Sequence, residues 1–157
     1  MTEPVRRRWR RLLEGREQGA AIIEFTFLAI IVILPLLYVV IGFSAVQRGI
    51  FAATAGAREA GRALSTADDV TTGLARAQYA AEIAVEDQAV DLTDLDVGYA
   101  PDGADCSAAG SYQPALTPGE RFVVCVTVVV RVPGLPDFID TNTATGMYIV
   151  QRDRFQG

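Results

Sequence analysis

A run of twenty-one residues without a single charge constrains this chain more than any other feature. It extends from Phe25 to Ala45 and reads FTFLAIIVILPLLYVVIGFSA. At a rise of about 1.5 Å per residue, a helix of this length crosses a hydrocarbon core of roughly 30 Å. A cleaved secretory signal has a shorter apolar stretch, about 7–15 residues, followed by a small-residue cleavage site. The run therefore predicts a transmembrane helix.

Charge is unevenly distributed on the two sides of this run. Residues 1–19 carry six arginines and three glutamates, a net charge of +3, whereas residues 63–157 carry fourteen acidic residues and five arginines, a net charge of −9. Arginines beside an apolar helix hold their end of the chain in the cytoplasm. We therefore expect the chain beyond about residue 47 to lie outside the cell membrane. The acidic body argues against nucleic acid as a partner.

Catalysis has no support in the sequence. The chain contains no histidine, the commonest general base and metal ligand. No Ser-His-Asp or Cys-His set, phosphate-binding loop or dinucleotide-binding turn can be assembled. One acidic stretch lacks the spacing of a calcium loop, so solvated charge is the simpler interpretation of Asp91, Asp94, Asp96, Asp102 and Asp105. We expect no enzyme activity, no cofactor, no metal and no small-molecule substrate.

Two residues break the apolar pattern of the helix. Pro35 lies mid-span and removes one backbone donor, which predicts a kink. Glu24 lies at the start of the helix, where a carboxylate costs up to roughly 2.5–3.5 kcal/mol if it is carried to the bilayer centre and less near the interface. Either Glu24 is solvated in the headgroup layer, helped by the positive end of the helix dipole, or it pairs with a cation of a partner.

The residues around Glu24 resemble the type III signal of type IV prepilins. Gly19-Ala20-Ala21-Ile22-Ile23-Glu24-Phe25 follows a basic stretch and precedes the apolar helix. The resemblance implies that a prepilin peptidase cuts between Gly19 and Ala20, which would make Glu24 the fifth residue of the mature chain. In that family the glutamate at this place helps a subunit enter a filament by neutralising a neighbour's terminal amine.

The resemblance narrows to the TadE-like pseudopilins, which are minor pilins of tight-adherence (Tad or Flp) type IV pilus systems. Their pattern combines a V-E-F-like triplet, a proline within the span and an A-R-E-A-x-R-like segment. The matching residues are Ile23-Glu24-Phe25, Pro35 and Ala57-Arg58-Glu59-Ala60-Gly61-Arg62-Ala63, with isoleucine where valine is more usual. The resemblance covers roughly residues 15 to 63. It implies a pilin-like minor subunit or assembly factor whose partners are the prepilin peptidase, other pilin-like subunits, the assembly machinery and the membrane.

The helix is expected to continue past the membrane. Residues 20–46 would form the span and residues 47–64 its extracytoplasmic extension, since alanine, glycine and arginine follow without a proline. Small residues recur at every fourth position and would let another element approach closely: Ala45, Gly49, Ala53, Ala57 and Gly61. This row could pack against neighbouring subunits or against the chain's own domain. Arg58 and Arg62, with Glu59 between them, could anchor a partner or face water.

Residues 65–157 predict a small α+β domain. A helix over 69–88 is indicated by apolar residues at spacings of four and three, with Thr66 and Asp69 at its start as a capping box. Leu95, Val97 and Tyr99 alternate with polar residues and predict a strand with one wet face. A stronger β-branched alternation over 121–132 predicts the central strand, and a last strand is expected near Met147 to Phe155.

Two cysteines fall in the part of the chain expected outside the membrane. Cys106 lies in a Gly-, Ser- and Pro-rich loop and Cys125 in the central strand. A bond between them would tie the loop to the sheet and contribute about 3 kcal/mol in the chain-entropy model; two free thiols are the alternative. The residues by themselves also fit an uncleaved single-pass membrane protein with an extracytoplasmic binding domain.

Overall fold

The chain has the predicted α+β architecture. In a computed structural model the described residues are 3–110, 112–134 and 142–154, with side chains described from residue 22 onward. They form two α-helices and three β-strands: α1 (Glu3–Ser65), α2 (Val70–Glu86), β1 (Asp96–Pro101), β2 (Arg121–Val130) and β3 (Asn142–Gln151). The chain divides into two compact units, Met1–Ile41 and Gly42–Gly157.

Helix α1 begins earlier than predicted and continues through Pro35. It ends where polar side chains compete for its last carbonyls, since the hydroxyls of Ser65 and Thr66 both donate to the carbonyl of Arg62, at 2.8 and 3.2 Å. The last carbonyls of a helix have no intrahelical donor. Such local hydrogen bonds satisfy them and end α1.

A buried arginine completes the end of α1. Arg152 is 7% exposed, and its Nη1 donates to the carbonyls of Leu64 and Ala67, at 3.1 and 2.7 Å. A cation is favourable at the negative end of a helix. The expected last strand included Arg152, but β3 ends at Gln151, and the backbone N–H of Arg152 donates to the carbonyl of Glu120 instead.

Helix α2 starts at Val70, with Asp69 as its N-cap. The Asp69 carboxylate accepts from the backbone N–H of Thr72 at 2.8 Å. This hydrogen bond, with a further one from the Thr72 side chain, holds the pKa of Asp69 below its usual value. Thr66 was expected to open this cap, and that expectation is wrong because its hydroxyl turns back to α1.

The sheet is antiparallel, with β2 in the centre as predicted. One face of β2 points to the helices and carries buried apolar residues: Phe122, Val124, Val126, Val128 and Val130. The other face carries Val123 and Cys125, which are also buried. The expected wet face of β1 is wrong at Gly98, which is buried because the loop after β1 brings Ala109 against it.

Strand β3 begins at Asn142, five residues before the predicted start. Its first half, Asn-Thr-Ala-Thr-Gly, has little hydrophobic pattern, so sequence periodicity missed it. A Cβ added at Gly146 would lie 2.2 Å from the backbone carbonyl carbon of Ala53. Small residues are therefore required here because α1 lies directly on the strand.

Glu120 organises the loop that leads into β2. Its carboxylate accepts from the Tyr112 hydroxyl at 2.6 Å and from the backbone N–H groups of Ala115 and Thr117 at 3.0 and 2.8 Å. Burial raises the pKa of Glu120, but the hydrogen bonds outweigh burial and hold that pKa below its usual value. The same bond, with burial and the negative charge, raises the pKa of Tyr112 to about 12.

We expect Gly146→Ala to destabilise the domain by about 3 kcal/mol, because the new methyl group would overlap the backbone of α1. Thr143→Ala, at an exposed position of the same strand, is the control and should cost less than about 1 kcal/mol. Urea titration of the detergent-solubilised chain gives both free energies of unfolding. Equal values for the two variants would contradict the close approach.

Glu120 should stabilise the domain in a pH-dependent way. Because its pKa is lowered in the folded state, its contribution is present above the ordinary value of 4.5 and is lost as pH falls through the folded pKa. We expect Glu120→Gln to cost about 1–2 kcal/mol at pH 6 and progressively less towards pH 3.

The measurement is the wild-type minus variant difference in unfolding free energy at several pH values. Asp69, Asp91 and Asp105 also have lowered pKa values, but they titrate in both proteins and cancel in the difference. Glu86→Gln, at an exposed position, is the control and should give a flat difference. A flat difference for Glu120→Gln as well would contradict the role of its hydrogen bonds.

Candidate membrane anchor and assembly surface

The first unit presents an apolar helix with nothing covering it. Every large apolar side chain from Ile22 to Ile41 is at least 42% exposed. A helix that is apolar on all sides needs an apolar surrounding. By length and composition, the helical stretch Ile22–Ser65 can cross a membrane. Its apolar N-terminal part is therefore compatible with a membrane anchor.

Glu24 interrupts this apolar surface as an isolated carboxylate. It is exposed, and its side chain makes no hydrogen bond or ion pair with any described residue. The neighbouring Thr26 satisfies its own hydroxyl by donating to the carbonyl of Ile22 at 2.8 Å. Phe25, beside Glu24, is 73% exposed. The surroundings of the expected cleavage site at Gly19 and Ala20 lie outside the described residues.

The row of small residues on α1 belongs to the second unit and is buried there: Ala45, Gly49, Ala53, Ala57 and Gly61. A Cβ added at Gly49 would lie 2.3 Å from a methyl group of Val130, and one added at Gly61 would lie 2.4 Å from the ring of Tyr148. Val130 is on β2 and Tyr148 on β3. Of the two interpretations of this row, the structure has the contact with the chain's own sheet.

The segment from Ala57 to Ala63 divides its residues between core and solvent. Ala57, Ala60 and Gly61 are buried, whereas Arg58 and Arg62 are exposed. Arg62 Nη2 lies 3.8 Å from Glu59 Oε1, with 75% and 44% of the two side chains exposed. An exposed pair at this distance contributes little to stability. The small residues of the segment therefore hold α1 to the domain, and its arginines face outward.

Comparison with known proteins adds no family. No family model, curated protein or solved structure matches this chain. The argument for a function therefore depends on the residues and their geometry.

The two cysteines form the expected disulfide. Cys106, in the 3₁₀ turn Cys106–Ala108, is bonded to Cys125 on β2, with Cα atoms 5.7 Å apart and a sequence separation of 19. Asp105 caps this turn by accepting from the hydroxyl and the backbone N–H of Ser107, and these bonds hold the pKa of Asp105 below its usual value. The bond ties the loop over the sheet face that carries Val123.

The remaining aspartates are dispersed over local contacts. Asp94 pairs with Arg131 at 2.6 Å, Asp102 lies 3.5 Å from Arg121, and Asp91 accepts from the hydroxyl and backbone N–H of Thr93. Within the described ranges no three His, Cys, Asp or Glu residues are grouped as metal ligands would be. These carboxylates organise turns and strand ends.

Sequence reasoning missed Gly146, Glu120 and Arg152. Gly146 looked like a weak strand position, although an isolated glycine in a strand is a signal of close backbone approach. Glu120, next to a glycine before the central strand, and Arg152, one of two arginines near the end of the chain, carry no local pattern that indicates their partners. Those partners lie in other elements.

We expect full-length protein denatured in urea to take up no iodoacetamide label without reductant and two labels with it, as counted by intact mass. Labelling under denaturing conditions is needed because Cys125 is only 2% exposed in the folded domain. Replacing both cysteines by serine should cost about 3 kcal/mol of stability. Uptake of label before reduction would contradict the bond.

Proposed function

We propose that this chain is a pilin-like minor subunit or assembly factor of a tight-adherence type IV pilus. A prepilin peptidase processes it after Gly19, and α1 holds it in the cell membrane. The arginine-rich residues 1–19 lie in the cytoplasm, and the disulfide-bonded domain lies outside. The role is structural, with no catalytic step and no cofactor.

The observation that carries the proposal is the isolated carboxylate of Glu24 on an otherwise apolar and uncovered helix. A carboxylate near lipid is costly alone and tolerable when it is paired with a cation. Within the helical stretch from residue 22 to residue 47, Glu24 is the only charged residue, so its partner must come from elsewhere. The terminal amine of a neighbouring chain cut after its own Gly19 has the required charge and the required depth in the membrane.

The burial of the small-residue row supports a division of labour along α1. From Ala45 to Gly61 the row is occupied by the chain's own sheet. Contacts with other subunits would therefore use the uncovered surface between Ile22 and Ile41 and the outward arginines Arg58 and Arg62. The disulfide agrees with an oxidising compartment for the domain.

We expect the native protein to begin at Ala20, and Gly19→Leu to block this processing. Glu24→Val should leave the chain membrane-inserted but impair assembly by at least about tenfold, because each unpaired terminal amine would lose its counter-charge. Thr26→Val, which removes a polar group from the same exposed helix surface, is the control and should assemble normally.

Intact mass of the membrane-extracted protein and the yield of sheared pili are the measurements. A native chain that retains residues 1–19 would remove the main support for the proposal and identify an uncleaved single-pass membrane protein with an extracytoplasmic domain. Normal piliation with Glu24→Val would contradict the pairing role.

A further inference from the structure

A cavity of about 320 Å³ lies in the second unit, beside the first turns of α1 in that unit. Ala45, Arg48 and Gly49 line it from α1. Asp91 lines it from the loop after α2, and Arg131 and Pro133 line it from the end of β2. The volume is at the lower end of the range for ligand pockets. It suits a headgroup-sized ligand.

Arg48 is the uncommitted charge of this cavity. Its side chain is exposed and makes no hydrogen bond or ion pair within the described part of the chain. The other two charged groups already have partners. Arg131 is bound to Asp94 at 2.6 Å, and Asp91 accepts from Thr93, whose hydrogen bonds hold the pKa of Asp91 below its usual value. An anion entering the cavity would therefore meet Arg48.

The position of Arg48 relates the cavity to the membrane surface. Arg48 is the first charged residue after Glu24 and lies three residues beyond Ala45, the end of the uncharged run. Its neighbours on α1, Val46 and Ile50, are 40% and 49% exposed. A cation that follows a transmembrane run in this way lies at the level of the lipid phosphates.

We propose that this cavity binds the phosphodiester group of a membrane phospholipid, with the Arg48 guanidinium as its principal ligand. This inference depends on the proposed membrane anchoring of α1. A guanidinium presents paired N–H donors that match two phosphate oxygens. The absence of a side chain at Gly49 leaves room beside Arg48, and the acyl chains would run along the exposed apolar surface of α1. Asp91 limits the affinity, because its carboxylate repels the phosphate.

The test uses the full chain in mild detergent and measures binding by native mass spectrometry. The probes are phosphatidylglycerol, a diacylglycerol with the same acyl chains but no phosphate, and inorganic phosphate. We expect Arg48→Gln to bind phosphatidylglycerol about tenfold more weakly than wild type, with diacylglycerol binding unchanged. Arg58→Gln, ten residues further along α1 and also exposed, should bind as wild type does. Asp91→Asn should bind phosphatidylglycerol more tightly.

Equal phosphatidylglycerol binding by wild type and Arg48→Gln would overturn the inference, as would equal binding of diacylglycerol and phosphatidylglycerol by wild type. Binding of inorganic phosphate as tight as that of the lipid would identify a free-anion site and overturn the lipid assignment. Carbonate extraction of membranes separates the two proposals. If wild type resists extraction but binds no phospholipid, only this inference fails. If wild type is extracted, the membrane anchor fails and this inference fails with it.

Discussion

The contact of α1 with β3 at Ala53 and Gly146 is the constraint on which the domain depends. A single Cβ at Gly146 would lie 2.2 Å from the α1 backbone, so the helix and the strand approach to the limit set by their main chains. This approach lets short side chains on α1 fill the space against the valine-rich face of β2. Dispersion and the removal of apolar surface from water then act over the whole length of the contact. Gly56 extends the packing to α2, since it lies against both Val126 and Val85.

The other end of α1 is organised by the opposite requirement. Between Ile22 and Ile41 the helix keeps all its large apolar side chains exposed, and water is a poor solvent for such a surface. The same helix therefore has two chemistries. Small residues bring the domain onto its second part, and large apolar residues leave its first part to be covered by something outside this chain. Glu24 adds one unpaired charge to that first part, and a partner of opposite charge is the economical way to satisfy it.

Charged groups in the domain work mostly at ends and turns. Arg152 closes the end of α1, Asp69 opens α2, Asp105 caps the turn that carries Cys106, and Glu120 fixes the loop before β2. Each satisfies backbone groups that secondary structure leaves unpaired. A small domain with a core of valine and alanine gains definition from these bonds, because its apolar side chains alone specify few unique contacts. The disulfide adds a covalent restraint on the outer face of the sheet.

The sequence by itself determined the features that depend on local pattern. A long uncharged run predicted the apolar helix, strict alternation predicted β2, and a loop cysteine followed by a strand cysteine predicted the disulfide, because helix periodicity, pleat and loop closure are all encoded within short windows. Only the tertiary structure decided that the small-residue row of α1 is covered by the chain's own sheet and that β3 begins at Asn142. It also brought Arg152 to the end of α1. These outcomes depend on which surfaces meet across the fold: a glycine, an alanine or an isolated arginine carries the same local signal whether its partner is distant in the chain or absent.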